Sequence, residues 1–152
     1  MRNIWFPALM AGFLVAPVAR APVARAADPA SPVGEWRTID DATHEPKAVV
    51  RIFEQGGALY GVVEKSLLAT PVRKTCDQCT DDRKDQPILG MDIIRGLRKD
   101  GDQWDGGTIL DPEHGKIYKC KMSLQPGGQR LDVRGYVGIS LLGRTQTWER
   151  VS

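Results

Sequence analysis

The feature that most constrains this chain is the rhythm of its apolar residues. From Gly34 onward they alternate with polar residues in short runs, and each run ends at a turn signal. A period of two places one side of a strand against a core and the other toward water. The clearest run is 117–124, where Tyr118, Cys120, Met122 and Leu124 share one side and Lys119 and Lys121 the other. The run 131–151 is as well marked. Leu131, Val133 and Val137 alternate there with Asp132, Arg134 and Tyr136, and after a Gly- and Ser-containing turn the pattern resumes through Thr145, Thr147 and Trp148. Eight runs begin near Val33, Lys47, Ala58, Met91, Gln103, Ile117, Arg130 and Arg144. Between them lie turn formers, among them Gly56-Gly57, Gly101, Asp111-Pro112 with Gly115, and Pro126-Gly127-Gly128. No stretch after Gly34 reads as a helix of three turns.

Short, evenly spaced strands with Gly/Pro turns mean a sandwich or a barrel. The tight links favour an up-and-down meander, and eight strands is the number at which a barrel closes around side chains or one small ligand. The expected fold is therefore all-β, an eight-stranded antiparallel up-and-down barrel. One connection, 67–89, is long. It holds Pro71, Cys76, Cys79 and the charged run 81–85, with room for one helical turn before Pro87. Long connections in compact domains are often functional.

The first 26 residues read differently. Arg2 supplies a positive start, residues 4–18 are uncharged and mainly apolar, and Ala24-Arg25-Ala26 fits a signal-peptidase site. That layout predicts a secretory signal peptide over 1–26. The apolar run falls short of the roughly 20 residues a spanning helix needs. A polar tether over 27–32 and a single barrel domain over 33–152 would follow, with no transmembrane segment in the mature chain. The expected location is the periplasm or the exterior, and the absence of a lipobox Cys argues against a lipid anchor. The leader carries Arg2, Arg20 and Arg25 and no acid, so the remainder has 18 basic and 19 acidic side chains. Those charges are interspersed, which gives nucleic-acid binding no electrostatic basis.

Three cysteines remain: Cys76, Cys79 and Cys120. Cys76-Asp77-Gln78-Cys79 suggests a structural disulfide pinning the long loop, with metal binding or thiol exchange as alternatives. Exchange needs a lowered thiol pKa, and Asp77, Asp81 and Asp82 oppose that. Cys120 shares its side with apolar residues and should be buried, free or paired with the loop. A zinc site would want four ligands, and neither His44 nor His114 has matching spacing, so no metal and no cofactor are expected. No Gly-x-Ser-x-Gly is present. Asp111-Pro112-Glu113 lacks the ligands of a calcium loop. The glycine pairs precede no helix that could cradle phosphate. Arg134 and Tyr136 are candidate ligand contacts only if the polar side of their strand faces inward. The apolar-inside arrangement, which makes them surface residues, is favoured.

Several motifs together carry a resemblance. They are Gly34-Glu35-Trp36-Arg37-Thr38, the Cys76-x-x-Cys79 loop with Lys84-Asp85-x-Pro87, the stretch Asp111-Pro112-x-x-Gly115-Lys116-x-Tyr118, and Arg134-Gly135-Tyr136 followed by Gly143-Arg144-Thr145-x-x-Trp148. In these the chain resembles a family of small exported bacterial proteins that form a domain of unknown function. The resemblance spans nearly the whole mature chain and implies export and a small β-rich fold. It implies no activity and no catalytic residues. More loosely, Gly34-x-Trp36 is similar to the opening motif of lipocalins, where an Arg of the last strand packs over the Trp. Arg144 or Arg150 can do so here, with Trp36 near Trp148.

The expected function is non-enzymatic binding of a small, largely apolar ligand, with Trp36, Arg134, Tyr136, Arg144 and Trp148 as candidate contacts. The alternatives are an envelope protein partner recognised through the Cys76–Cys79 loop and, further off, a thiol-active enzyme.

Overall fold

The computed structural model describes residues 28–152. It holds eight strands: β1 (Gly34–Ile39), β2 (Pro46–Gln55), β3 (Ala58–Ser66), β4 (Asp92–Asp100), β5 (Gln103–Asp111), β6 (Lys116–Leu124), β7 (Arg130–Tyr136) and β8 (Arg144–Arg150). Each pairs antiparallel with the next, and β8 returns to β1, so the sheet closes into a barrel. Closure leaves no free edge. The helical turn expected before Pro87 does not form. Among the described residues the helical element is a single 3₁₀ turn, Ser140–Leu142.

The period-two pattern decides which side is inside. On β6, Cys120 and Met122 are buried and stand opposite Gly135 and Val133 of β7. Leu131, Val133 and Gly135 therefore face inward, and Asp132, Arg134 and Tyr136 face outward. The apolar-inside arrangement holds. Val137 keeps the phase but lies beyond the end of β7, and it is 70% exposed.

Antiparallel order puts the turns 40–45, 67–91, 112–115 and 137–143 at one end of the barrel. The opposite end is closed. Trp36, Leu59, Leu97, Met122 and Leu131 fill it with little or no exposure. Residues 28–33 lie against this end and do not form the free tether that their polar composition suggests. Pro32 is fully buried, and its carbonyl accepts a hydrogen bond from Trp36 Nε1 at 2.7 Å. Gly128 makes the fit possible, because a Cβ there would overlap the backbone of Pro29.

Arg150 locks this end. Its guanidinium lies 4.3 Å from the Trp36 ring centroid. It also donates to the carbonyls of Gly128 (2.7 Å), Ser31 (2.7 Å) and Val33 (3.2 Å). One side chain thus joins the last strand, the β6–β7 turn and the N-terminal segment. Of the two arginines that sequence left open, Arg150 takes the position over Trp36. Arg144, six residues earlier on the same strand, sits at the other end and pairs with Asp41 at 2.5 Å.

Arg150→Met should lower unfolding stability by about 2–4 kcal/mol, from the lost stacking and the stranded carbonyls. Arg144→Met, which removes an exposed pair, should cost about 1 kcal/mol or less. Urea unfolding of both variants checks the contrast, and equal costs would contradict the role given to Arg150.

Candidate functional site

The barrel is hollow toward its open end. A cavity of about 1110 Å³ enters there. Val50, Val63, Ile109, Tyr118, Val133 and Trp148 contribute to its wall. Gly135 adds room: a Cβ there would meet Tyr118 and Ile109 only at ordinary contact distances of 3.5–3.7 Å. Valines, Ile109 and Gly135 leave space between Tyr118 and Trp148 in this wall, whereas the closed end stacks Trp36, Met122 and leucines.

Polar groups gather at the rim. Lys47 pairs with Glu113 at 2.9 Å and with Asp40 at 3.6 Å. β2 and the β5–β6 turn are not neighbours in the sheet, so the Lys47–Glu113 pair crosses the opening. Desolvation alone would lower the Lys47 pKa; bonding to Glu113 and the nearby acids outweighs it and raises the value. Two backbone N–H groups, of Thr43 and Ala42, hold the Asp40 carboxyl below its usual range. A second string runs inward from Arg144. Asp41 accepts from both Arg144 and Gln146 Nε2 (2.6 Å), and Gln146 Oε1 accepts from Trp148 Nε1 (3.2 Å). Asp111, Glu113 and His114 bring their ligand atoms within 4.8 Å of one another. His114 Nδ1 contacts Asp111 at 2.8 Å, and Glu113 is engaged by Lys47.

The sequence-derived candidates divide between places. Trp148 and Arg144 border the cavity, Trp148 in its wall and Arg144 at its rim. Trp36 belongs to the closed end, beneath Arg150. Its register partner on the adjoining strand is Arg150, and Trp148 stands two residues from Arg150 on the same side. Arg134 is on the outer side, donating to the carbonyls of Ser140 (2.7 Å) and Leu141 (3.2 Å) and to Thr145 Oγ1 (2.8 Å). That arrangement holds the β7–β8 loop. Tyr136 borders the rim, and its hydroxyl donates to Asp105 at 3.3 Å. Lys47, Asp41 and Gln146 were not foreseen, because nothing local signals a contact made across a barrel mouth.

The long connection, residues 67–91, is a strap. Cys76 and Cys79 form a disulfide and are buried. Backbone bonds from Cys76 to Gln86, Asp85 to Cys76 and Ile88 to Lys74 fold it on itself. Arg83, only 4% exposed, donates to the Asp92 carbonyl at 2.9 Å and pairs with Asp81. Arg95 of β4 reaches Asp82 at 2.8 Å. The strap abuts the β5–β6 turn at Gly115, where a Cβ would overlap the Gln78 backbone. Its two ends, through Leu68, Pro71, Val72 and Leu89, border the cavity. Cys120 is the one free cysteine, fully buried. Burial, aided by the Asp105 charge, pushes its thiol up to about 12. A thiol so placed is neutral and inert near neutral pH.

Residues 34–150 match the model of a family described as an uncharacterized protein conserved in bacteria, DUF2147. The chain belongs to this family. Among curated proteins none matches. Of solved structures, protein HP1028 from the human pathogen Helicobacter pylori, described as belonging to the lipocalin family, is similar with a TM-score of 0.68. The identity is 20%, over 79% of this chain and 82% of that one. At that identity the likeness establishes the fold, a lipocalin-like barrel, and DUF2147 is here built on it.

Two outcomes follow from the strap and the thiol. Alkylation of the native protein should modify no cysteine; unfolding without reductant should expose one, and unfolding with reductant all three, read by intact mass. Bonding to Arg83 and Arg95 holds the Asp81 and Asp82 carboxyls below their ordinary 3.8. Their contribution to strap docking is complete above that value and is lost as pH falls through the lowered ones. Hydrogen exchange over 76–86 should stay slow down to about pH 4 and then rise ahead of the strands.

Proposed function

We propose that this DUF2147 protein binds a small molecule with a largely apolar body inside its barrel, as a carrier or receptor and not as an enzyme. The observation that carries the reading is a closed barrel sealed at one end by Arg150 and Trp36 and hollow at the other. A cavity of about 1110 Å³ with apolar walls and a few convergent polar groups has the make-up of a small-molecule site. Its size suits a lipid-like or drug-sized guest. The rim groups would meet the polar end of such a guest, while Val63, Val133 and Trp148 would enclose its body.

We place this activity outside the cytoplasm, after removal of residues 1–26. The N-terminal layout of those residues supports export, although they lie outside the described part of the structure. A buried disulfide is at home in an oxidising compartment. Thiol chemistry draws no support from the structure: two sulfurs are bonded and buried, and the third is buried and neutral. An envelope partner docking on the Cys76–Cys79 loop has no specific observation in its favour, since Arg83, Asp81 and Asp82 are spent on holding the loop to the barrel.

Titration with a dansyl-labelled medium-chain fatty acid tests the reading. Binding should saturate at one probe per chain, with energy transfer from tryptophan. Gly135→Leu, whose side chain would project into the cavity without backbone strain, should weaken it by about tenfold or more while leaving the urea midpoint nearly unchanged. Trp148→Phe should cut the energy transfer. Unsaturable binding, or binding untouched by Gly135→Leu, would show that the probe lies outside the barrel.

A further inference from the structure

Nearly every polar group around the cavity is already engaged. The charged ones pair at the rim: Lys47 with Glu113 and Asp40, Arg144 with Asp41, and Arg73 with Asp77. His114 bonds Asp111, and Lys74 is exposed on the strap. Neutral groups are satisfied as well. Thr38 Oγ1 accepts from the Ala48 N–H at 3.1 Å. Gln146 uses both ends of its amide, between Asp41 and Trp148. Tyr136 is bonded to Asp105.

Two hydroxyls are left over. Ser66 is the last residue of β3 and belongs to the mouth. Tyr118 lies further in, two residues along β6, on the inward side with Cys120 and Met122 and opposite Ile109 of β5. Its ring flanks the gap over Gly135, where a Cβ would stand 3.5 Å from Tyr118 Cβ and 3.7 Å from its Cγ. The Tyr118 hydroxyl has no hydrogen-bond partner among the described residues. None of their fully buried side-chain polar atoms lacks a partner, so this hydroxyl is one that the cavity keeps accessible.

That placement discriminates between guests. An apolar body filling the cavity displaces water from Tyr118, and a guest without an oxygen strands the hydroxyl, at a cost. A guest with a neutral oxygen restores the bond, because a phenol hydroxyl both donates and accepts. A carboxylate or phosphate cannot follow the body inward, since the inner wall offers no unpaired counter-charge and a lone buried ion is costly. Charged heads stay at the rim, in water.

We propose that Tyr118 sets polar specificity inside the barrel, and that the guest it selects is an uncharged amphiphile: an apolar body with an alcohol, ester or amide oxygen that bonds the Tyr118 hydroxyl. This rests on the reading that the cavity binds an apolar guest, and adds the chemistry of that guest's polar group.

The test uses the full chain and three guests that share one apolar body: ω-bromodecanol, bromodecane and ω-bromodecanoate, near neutral pH. Bromine quenches tryptophan emission on contact, so Trp148 in the wall reports occupancy. Tyr118→Phe keeps the ring and removes only the hydroxyl. It should weaken ω-bromodecanol about three- to tenfold. Bromodecane should bind the variant at least as well, with no hydroxyl to strand, and ω-bromodecanoate should be unaffected. The urea midpoint should not move, because the hydroxyl bonds nothing in the protein. An unchanged alcohol, equal losses for all three guests, or a loss for the carboxylate as large as that for the alcohol overturns the proposal. So does a lowered midpoint, which would make the hydroxyl a structural bond. If none of the guests quenches either protein, the cavity reading falls and this one with it; if all bind and Tyr118→Phe does not separate them, only the role of Tyr118 falls.

Discussion

Everything in this molecule depends on the seam where β8 meets β1. A sheet that fails to close has two edges and no interior; a closed one has an inside that can be left partly empty. The seam is short. β1 and β8 share two residue pairs in register, Trp36 with Arg150 and Arg37 with Glu149, against six between β7 and β8. Backbone bonds from Glu35 to Ser152 and from Val151 to Glu35 extend it slightly. So thin a ladder needs reinforcement from side chains, and the Arg150–Trp36 stack provides it at the register pair itself. Because Arg150 also holds Ser31, Val33 and Gly128, closing the sheet and capping its end are one event.

That arrangement divides the barrel into a part that supplies stability and a part that supplies space. Apolar burial is worth roughly 25 cal/mol per Å², and an empty cavity forgoes both that and the contacts its lining would otherwise make. The closed end, with Trp36, Leu59, Leu97 and Leu131 fully packed, offsets what the hollow end lacks. The strap extends the same logic to the exterior: its Cys76, Cys79 and Met91 join the core cluster. A loop of more than twenty residues would otherwise be the weakest part of the fold; its disulfide ties it to itself, and Arg83 and Arg95 bind it to β4.

The architecture was legible because period two is a local signal that only a strand satisfies. The eight runs from Gly34 and the buried side of β6 follow from it directly. What it could not supply was position along the strand axis. Arg144 and Arg150 have the same parity on β8, so alternation treats them alike; only the end of the barrel each occupies separates an ion pair with Asp41 from a stack on Trp36. Residues 28–32 failed for a related reason. Their Asp, Ser and prolines look like a linker, yet a proline carbonyl and a glycine-lined gap can cap a barrel as well as leucines can. The rim was illegible because Lys47 and Glu113 are far apart in sequence, one on β2 and the other in a turn between two strands that do not pair with it. Val137 was misread because its phase is right and its strand has already ended.

The balance of charge at the mouth also limits what selectivity the site can have. Lys47 is held by Glu113 and Asp40, Arg144 by Asp41, and Arg73 by Asp77 at 2.6 Å. A guest bearing one charged group would have to break a pair to make a pair, and partly exposed pairs of this kind are worth little either way. Discrimination by head-group charge would then be weak. The apolar wall is different, since each methylene that fits or fails to fit changes affinity by about 0.8 kcal/mol. On the proposed reading, a barrel built this way would sort its guests by the length and shape of the apolar body and tolerate variety at the polar end, the pattern expected of a protein that handles a class of amphiphiles and not one metabolite.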